Sequence, residues 1–120
     1  MEKFWSDGCT RHKNYTMIKI DKTDLDGVLI ITPDTQAFDH RGMNVETFNE
    51  RDYECLGTKF IVDSISSSRR DVLRGIHGDS RTTKLISVLF GEIYFVVVNL
   101  DKESPQYKQT EFFYLKASNY

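Results

Sequence analysis

The chain has 120 residues and a formal net charge of −2, with 16 lysines and arginines against 18 aspartates and glutamates. That length suits one compact domain and is too short for two. The mild acidity excludes the broad basic field by which a nucleic-acid binder normally meets its partner, so any anionic ligand must be held by local cations.

The opening segment, MEKFWSDGCTRHKNY, lacks the basic-then-apolar pattern of a secretory leader. The longest apolar run, Ile93 to Val98, is far too short to span a bilayer, so a cytoplasmic protein with no membrane partner is expected. Cys9 and Cys55 have neither metal-type nor redox-type spacing, and two reduced thiols are expected.

The first predicted strand is Gly27 to Thr32 (GVLIIT), a short apolar run stopped by Pro33. Glu46 to Leu56 (ETFNERDYECL) breaks the β pattern. Its polar sequence, with Phe48 and Tyr53 offset by five, Leu56 three beyond, and Gly57 able to supply a left-handed cap, predicts one short helix. Phe60 to Ile65, Val72 to His77, Lys84 to Phe90 and Glu92 to Leu100 read as further strands, and Gly91 as the turn of a tight hairpin joining the last two.

In Glu92 to Leu100 both alternating sets of side chains are largely apolar, which predicts burial on both faces. One face would line a barrel interior and the other would lie under a second sheet or another subunit, and a homodimer is expected. Short strands at close spacing with one small helix indicate an all-β domain, either a β-sandwich or a jelly-roll barrel.

The stretch Val72 to His77 (VLRGIH) places Arg74, Gly75 and His77 on one predicted strand, and the turn GDSRTT leads from it to Lys84. A lone histidine at a strand end ordinarily makes core or rim hydrogen bonds. Its chemical interest here lies in the nearby cations. In a regular strand Arg74 and His77 would point to opposite faces, so they can share a pocket only if the chain bends, which Gly75 permits. The residues alone leave that open.

Jelly rolls often hold iron or manganese through an HxH…E…H set. Here the second histidine position is Asp79, while His12 and His40 lie far upstream, so no metal and no other cofactor is expected. Arg69, Arg70, Arg74 and Arg81 are interspersed with Asp71 and Asp79 and accompanied by no aromatic stacking platform, which again argues against nucleic acid.

Taken in order, GVLIITP, DHRG followed by Glu46, SISSSRRDVLRGIH, KLISVLFGEI and SPQY cover Gly27 to Tyr107. In these motifs the chain resembles the nucleoside-diphosphate-4-keto-sugar 3,5-epimerases of the dTDP-4-dehydrorhamnose 3,5-epimerase type. The resemblance implies a cupin-type jelly roll that dimerises. It implies that His77 is the base removing the sugar's C3 and C5 protons. It implies that Arg74 and Lys84 bind the substrate and stabilise the enolate, and that Arg41 and Glu46 contact the nucleotide.

The chemistry requires these residue types. A C4 ketone acidifies the adjacent C–H bonds, and a base of near-neutral pKa can take such a proton when the developing enolate oxygen meets positive charge. Arginine suits a diphosphate because its planar fork donates parallel hydrogen bonds.

Departures accompany these matches. The family's tyrosine acid and the carboxylate paired with its histidine lie in the second half of a longer chain. The sequence ends at Tyr120, and Tyr107, Tyr114 and Tyr120 occupy no matching motif. The implied organisation is therefore one jelly-roll domain over residues 1–120, truncated on its C-terminal side. The loop HGDSRTTK, with Asp79 two residues after the base, resembles the variant in 3,5-epimerases acting on GDP-linked heptoses. An acidic family position in the strand after Gly91 falls at Phe95.

The expected partner is accordingly a dTDP- or GDP-linked 4-keto-6-deoxy sugar, used in deoxysugar synthesis for a surface polysaccharide. Two alternatives stand beside the epimerase. One is a catalytically incomplete relative that binds a nucleotide sugar or only dimerises; the other is a metal-dependent cupin enzyme.

Overall fold

The computed structural model describes residues 17–118. It contains six strands in three two-stranded antiparallel sheets and one short helix. The expected mostly-β architecture is present, with the strands distributed differently from the sequence expectation.

Strand β1 (Ile18–Lys22) pairs with β2 (Leu29–Pro33), with Ile20 opposite Ile31 and Ile18 opposite Pro33. Ile18 and Ile20 are half-buried on one face of β1 and Lys19 on the other is exposed, the period-two pattern of a strand, from which Lys22 departs by being exposed at the strand end on the isoleucine side. Proline, lacking an N–H, fits at the strand end. In the connecting turn Thr23 Oγ1 accepts the Leu25 N–H at 3.2 Å and donates to the Val28 carbonyl at 3.1 Å.

Strands β3 (Ala37–Asp39) and β4 (Gly42–Asn44) form a hairpin whose two-residue tip is His40-Arg41. Gly42 leaves the tip at φ +127°, a conformation that favours glycine. This hairpin was not anticipated as strand.

The predicted helix is present in its second half. Helix α1 (Glu50–Tyr53) runs into a 3-10 turn at Glu54–Leu56. Asn49 caps α1 by accepting the Arg51 N–H at 3.1 Å, so the helix starts there rather than at Glu46. Gly57 ends it at φ +63°, as its position in the sequence required.

Strands β5 (Glu92–Val98) and β6 (Thr110–Lys116) make the longest ladder, from Glu92 opposite Lys116 to Val98 opposite Thr110. The partner of β5 is thus β6 and not the segment before Gly91, which corrects the hairpin expected across that glycine. Gly91 instead accepts the Ala117 N–H at 3.0 Å at the ladder's end.

Phe95, Val97, Phe113 and Leu115 are half-buried on one face of this sheet. On the other face Tyr94, Phe112 and Tyr114 are exposed, with ring centroids 5.4 Å apart for Tyr94–Phe112 and 5.1 Å for Tyr94–Tyr114. Neither face of β5 is fully buried in the single chain: Phe95 and Val97 on one face and Val96 and Val98 on the other are half-buried, while Ile93 and Tyr94 are exposed.

Three expected strands, Phe60 to Ile65, Val72 to His77 and Lys84 to Phe90, are not formed; no strand lies between Gly57 and Gly91. A strand persists through its ladder, and apolar β-branched sequence alone cannot supply one. The consequence is large apolar exposure along this segment, reaching 92% at Leu73 and 96% at Phe90.

The buried apolar residues among those described are Leu25 (3% exposed), Tyr53 (3%) and Leu56 (8%). Leu25 sits where the β1–β2 turn meets the last sheet. There Gln106 Nε2 donates to the Asp24 carbonyl at 2.8 Å and its Oε1 accepts the Asp26 N–H at 2.8 Å. Tyr53 packs its ring 5.1 Å from Phe48 and 6.1 Å from Phe60.

Cys55 is disulfide-bonded, which corrects the expectation of a reduced thiol at that position. Cys9 lies outside the described residues. No helix among the described residues is long and apolar enough to cross a membrane.

Candidate active site

Arg41 and Glu46 stand on the β3–β4 hairpin and on the stretch leading to α1. The tight tip folds Arg41 back onto Asp39. The Asp39 carboxylate accepts the Arg41 N–H at 2.8 Å and Nε at 3.0 Å, and also meets Nη2. The guanidinium and then the backbone N–H hold the Asp39 carboxyl below its ordinary value, and Asp39 in turn raises that of Arg41.

Glu46 is held by its backbone and its side chain. Its N–H donates to Thr35 Oγ1 at 2.9 Å, and its Oε1 accepts from Asn49 Nδ2 at 2.8 Å. Asn49 therefore links Glu46 to the first turn of α1, which it caps.

Arg74, His77 and Lys84 lie on the segment that forms no strand, and all three are exposed. Arg74 is anchored to the serine-rich turn, with Nε donating to Ser68 Oγ at 2.8 Å and Nη2 to the Ser67 carbonyl at 3.1 Å. Gly75 has φ +97°, and a Cβ built there would lie 3.2 Å from the His77 nitrogen. This backbone conformation breaks period-two alternation at the position where a bend was needed.

Between His77 and Lys84 the turn is organised by Asp79. Its Oδ1 accepts the N–H groups of Arg81 and Thr82, each at 2.9 Å, and its Oδ2 accepts the Thr82 hydroxyl at 2.6 Å. These contacts, the Thr82 hydroxyl foremost, hold the Asp79 carboxyl below its ordinary value, and the Lys84 ammonium adds to the effect.

The five candidate residues thus fall into two groups, Arg41 with Glu46 and Arg74 with His77 and Lys84. No hydrogen bond or ion pair joins any two of the five. Each arginine and Glu46 is oriented instead by a neighbour that sequence reading passed over: Asp39, Ser67, Ser68 and Asn49. The signal for Asp79 was present, since an aspartate in the turn-prone run Gly78-Asp79-Ser80 is placed to form an Asx turn. Among the described residues no three histidine, cysteine, aspartate or glutamate side chains gather as metal ligands.

Residues 22–120 match the family model of dTDP-4-dehydrorhamnose 3,5-epimerase. The chain belongs to this family.

Among dTDP-4-dehydrorhamnose 3,5-epimerases, that of Methanothermobacter thermautotrophicus is 43% identical over 90 residues, covering 72% of this chain and 48% of the relative. The epimerase of Salmonella typhimurium is 36% identical over 109 residues, covering 86% and 59%. A crystal structure of the Bacillus anthracis epimerase with TDP and PPi bound superposes with a TM-score of 0.75 at 34% identity, over 85% of this chain and 61% of that one. The chain spans about half to three fifths of the length of these relatives. Over that span its fold is the mostly-β, cupin-like fold of the dTDP-4-dehydrorhamnose 3,5-epimerases, with a single short helix.

Proposed function

We propose that this chain carries the proton-abstraction side of a 3,5-epimerase acting on a nucleoside-diphosphate 4-keto-6-deoxy sugar of the dTDP-4-dehydrorhamnose type. The observation that carries the reading is the RGIH stretch within the matched family region, with His77 just beyond the Gly75 bend and Lys84 beyond the Asp79 turn.

In this reading the neutral His77 imidazole takes the proton from C3 or C5, and the C–H electron pair moves toward the C4 oxygen to give an enolate. Lys84 and Arg74 supply the positive charge that lowers the energy of that oxyanion. Return of a proton to the opposite face of the carbon inverts it. The donor for that step is not assigned to any residue of this chain.

Arg41 and Glu46 take the nucleotide. Asp39 holds Arg41 through Nε and Nη2, leaving the Nη1 edge of the fork for a phosphate oxygen. The TDP bound in the Bacillus anthracis relative supports a thymidine nucleotide. The HGDSRTTK loop, which resembles the GDP-heptose variant, makes GDP the comparison to run.

The working protein in this proposal is a cytoplasmic homodimer without a cofactor, its single jelly-roll domain over residues 1–120 completed by further strands. The exposed Tyr94, Phe112 and Tyr114 face and the apolar residues between Gly57 and Gly91 support a requirement for such cover.

The deciding experiment follows deuterium incorporation from D2O by NMR with dTDP- and GDP-linked 4-keto-6-deoxy sugars, for this chain and for His77→Asn. Deuterium entering C3 or C5, and absent with His77→Asn, is the expected result. The chain's coverage of only 48% to 61% of its relatives favours one second reading, a nucleotide-sugar binder that lacks turnover. Binding of TDP without any exchange would select it.

A further inference from the structure

His77 and Lys84 are separated by seven positions of chain that belong to no sheet. A glycine stands on each side of the histidine's immediate neighbourhood, Gly75 at φ +97° and Gly78 with no atom within 4 Å of where a Cβ would be. Among the described residues no ladder bond fixes the lysine relative to the histidine. The turn between them carries that burden, and its order comes from one side chain.

We propose that Asp79 is a positioning residue for the proposed epimerase reaction: by closing the 79–82 turn it fixes where Lys84 stands relative to His77. This rests on the reading of His77 as base and Lys84 as its electrostatic partner. Both carboxylate oxygens are engaged within the turn, Oδ1 by two N–H groups at 2.9 Å and Oδ2 by the Thr82 hydroxyl at 2.6 Å.

That engagement also separates Asp79 from a role its sequence position invites. An aspartate two residues after a catalytic histidine looks like a substitute for the carboxylate that the family pairs with its base. Here it receives its hydrogen bonds from Arg81 and Thr82, and none from the imidazole. Its effect on chemistry is geometric, because base and oxyanion stabiliser must reach the same substrate within a few tenths of an ångström of the productive arrangement.

The test compares Asp79→Asn and Asp79→Ala in the full chain, reading the rate of C3 and C5 deuterium incorporation across pH and the hydrogen exchange of the Arg81 and Thr82 amides. Asparagine retains an oxygen for both N–H groups and can donate to Thr82 Oγ1, so Asp79→Asn should stay within about threefold of the parent rate. Asp79→Ala should be slowed about tenfold or more, with an unchanged pH midpoint and faster exchange at both amides.

Asp79→Ala turning over at the parent rate with those amides deprotected would overturn the proposal. So would Asp79→Asn falling as far as Asp79→Ala with a midpoint moved to lower pH, because the charge would then be acting on His77 itself. A parent chain that exchanges no substrate proton is a different failure: the epimerase reading falls, and the positioning role with it.

Discussion

The Leu25 amide N–H donates to Glu111 Oε2 at 3.1 Å, joining residues 86 apart in sequence. The bond fastens the β1–β2 turn to β6 beside the most buried leucine among the described residues. Glu111→Ala leaves that amide with the 3.2 Å contact to Thr23 Oγ1. The loss should cost about 1–2 kcal/mol, and Glu111→Gln less. Leu25→Ala should cost more, about 2–4 kcal/mol, because it opens a cavity at the junction. Urea unfolding of the three variants orders them.

Helix α1 depends on its ends, since four residues cannot hold a helix by propensity. Asn49→Ala removes the cap on the Arg51 N–H and releases Glu46 from Asn49 Nδ2. It should destabilise by about 1 kcal/mol. Gly57→Ala places a Cβ at φ +63° and should cost about 1 kcal/mol even though no atom lies within 4 Å of that Cβ. A helix signal retained in both variants, with unchanged unfolding midpoints, would show that the caps are incidental.

Two turns should report on acid. Asp39, through the Arg41 guanidinium, and Asp79, through the Thr82 hydroxyl, titrate below the ordinary aspartate value of 3.8. A carboxyl whose folded value is depressed favours folding above its unfolded value of about 3.9, and that contribution is lost as pH falls through the lower folded value. Both turns should therefore be unchanged between pH 8 and about 5 and loosen only below about 4. Carboxylate titration by NMR checks this, and a midpoint at or above 3.8 for either residue contradicts it.

The proposed roles separate kinetically. His77→Asn should lower substrate proton exchange by about 10²- to 10⁴-fold with little change in TDP affinity. Lys84→Met should slow exchange strongly while Lys84→Arg keeps part of it. Arg41→Lys should do the reverse, weakening TDP binding about tenfold at an almost unchanged saturated rate, because an ammonium has no planar fork to hold Asp39 on one edge and offer a phosphate oxygen the other. Calorimetry with TDP beside the exchange assay distinguishes the two patterns.

Some of this structure was legible in the sequence and some was not, for identifiable reasons. Gly57 could be read as a cap because αL geometry is a local requirement, and Gly75 as a bend for the same reason. The motif around Arg41 drew attention to its cation and away from the hairpin that carries it. Strand β6 was missed although Phe113 and Leu115 alternate with Phe112 and Tyr114 as β5 alternates. The segment from Phe60 to Phe90 failed in the opposite sense: its composition is that of strands, but a strand is a relation between two stretches of backbone, and none of the described residues pairs with it. The orienting contacts of Asp39, Ser68 and Asp79 are short-range, and the serine-rich and Asx-type patterns announced them to a reader not already looking for cations.

Arg74, His77 and Lys84 all belong to the stretch between Gly57 and Gly91 that forms no ladder. In the proposed homodimer, a second copy lying against this stretch stabilises its arrangement by mass action, in free energy that grows with the logarithm of protein concentration. A ligand that needs the ordered form binds with an apparent affinity reduced by the fraction of chains that hold it. For that proposed dimer, substrate proton exchange per molecule should climb as the protein is concentrated, and a rate independent of concentration would count against a second copy as the cover.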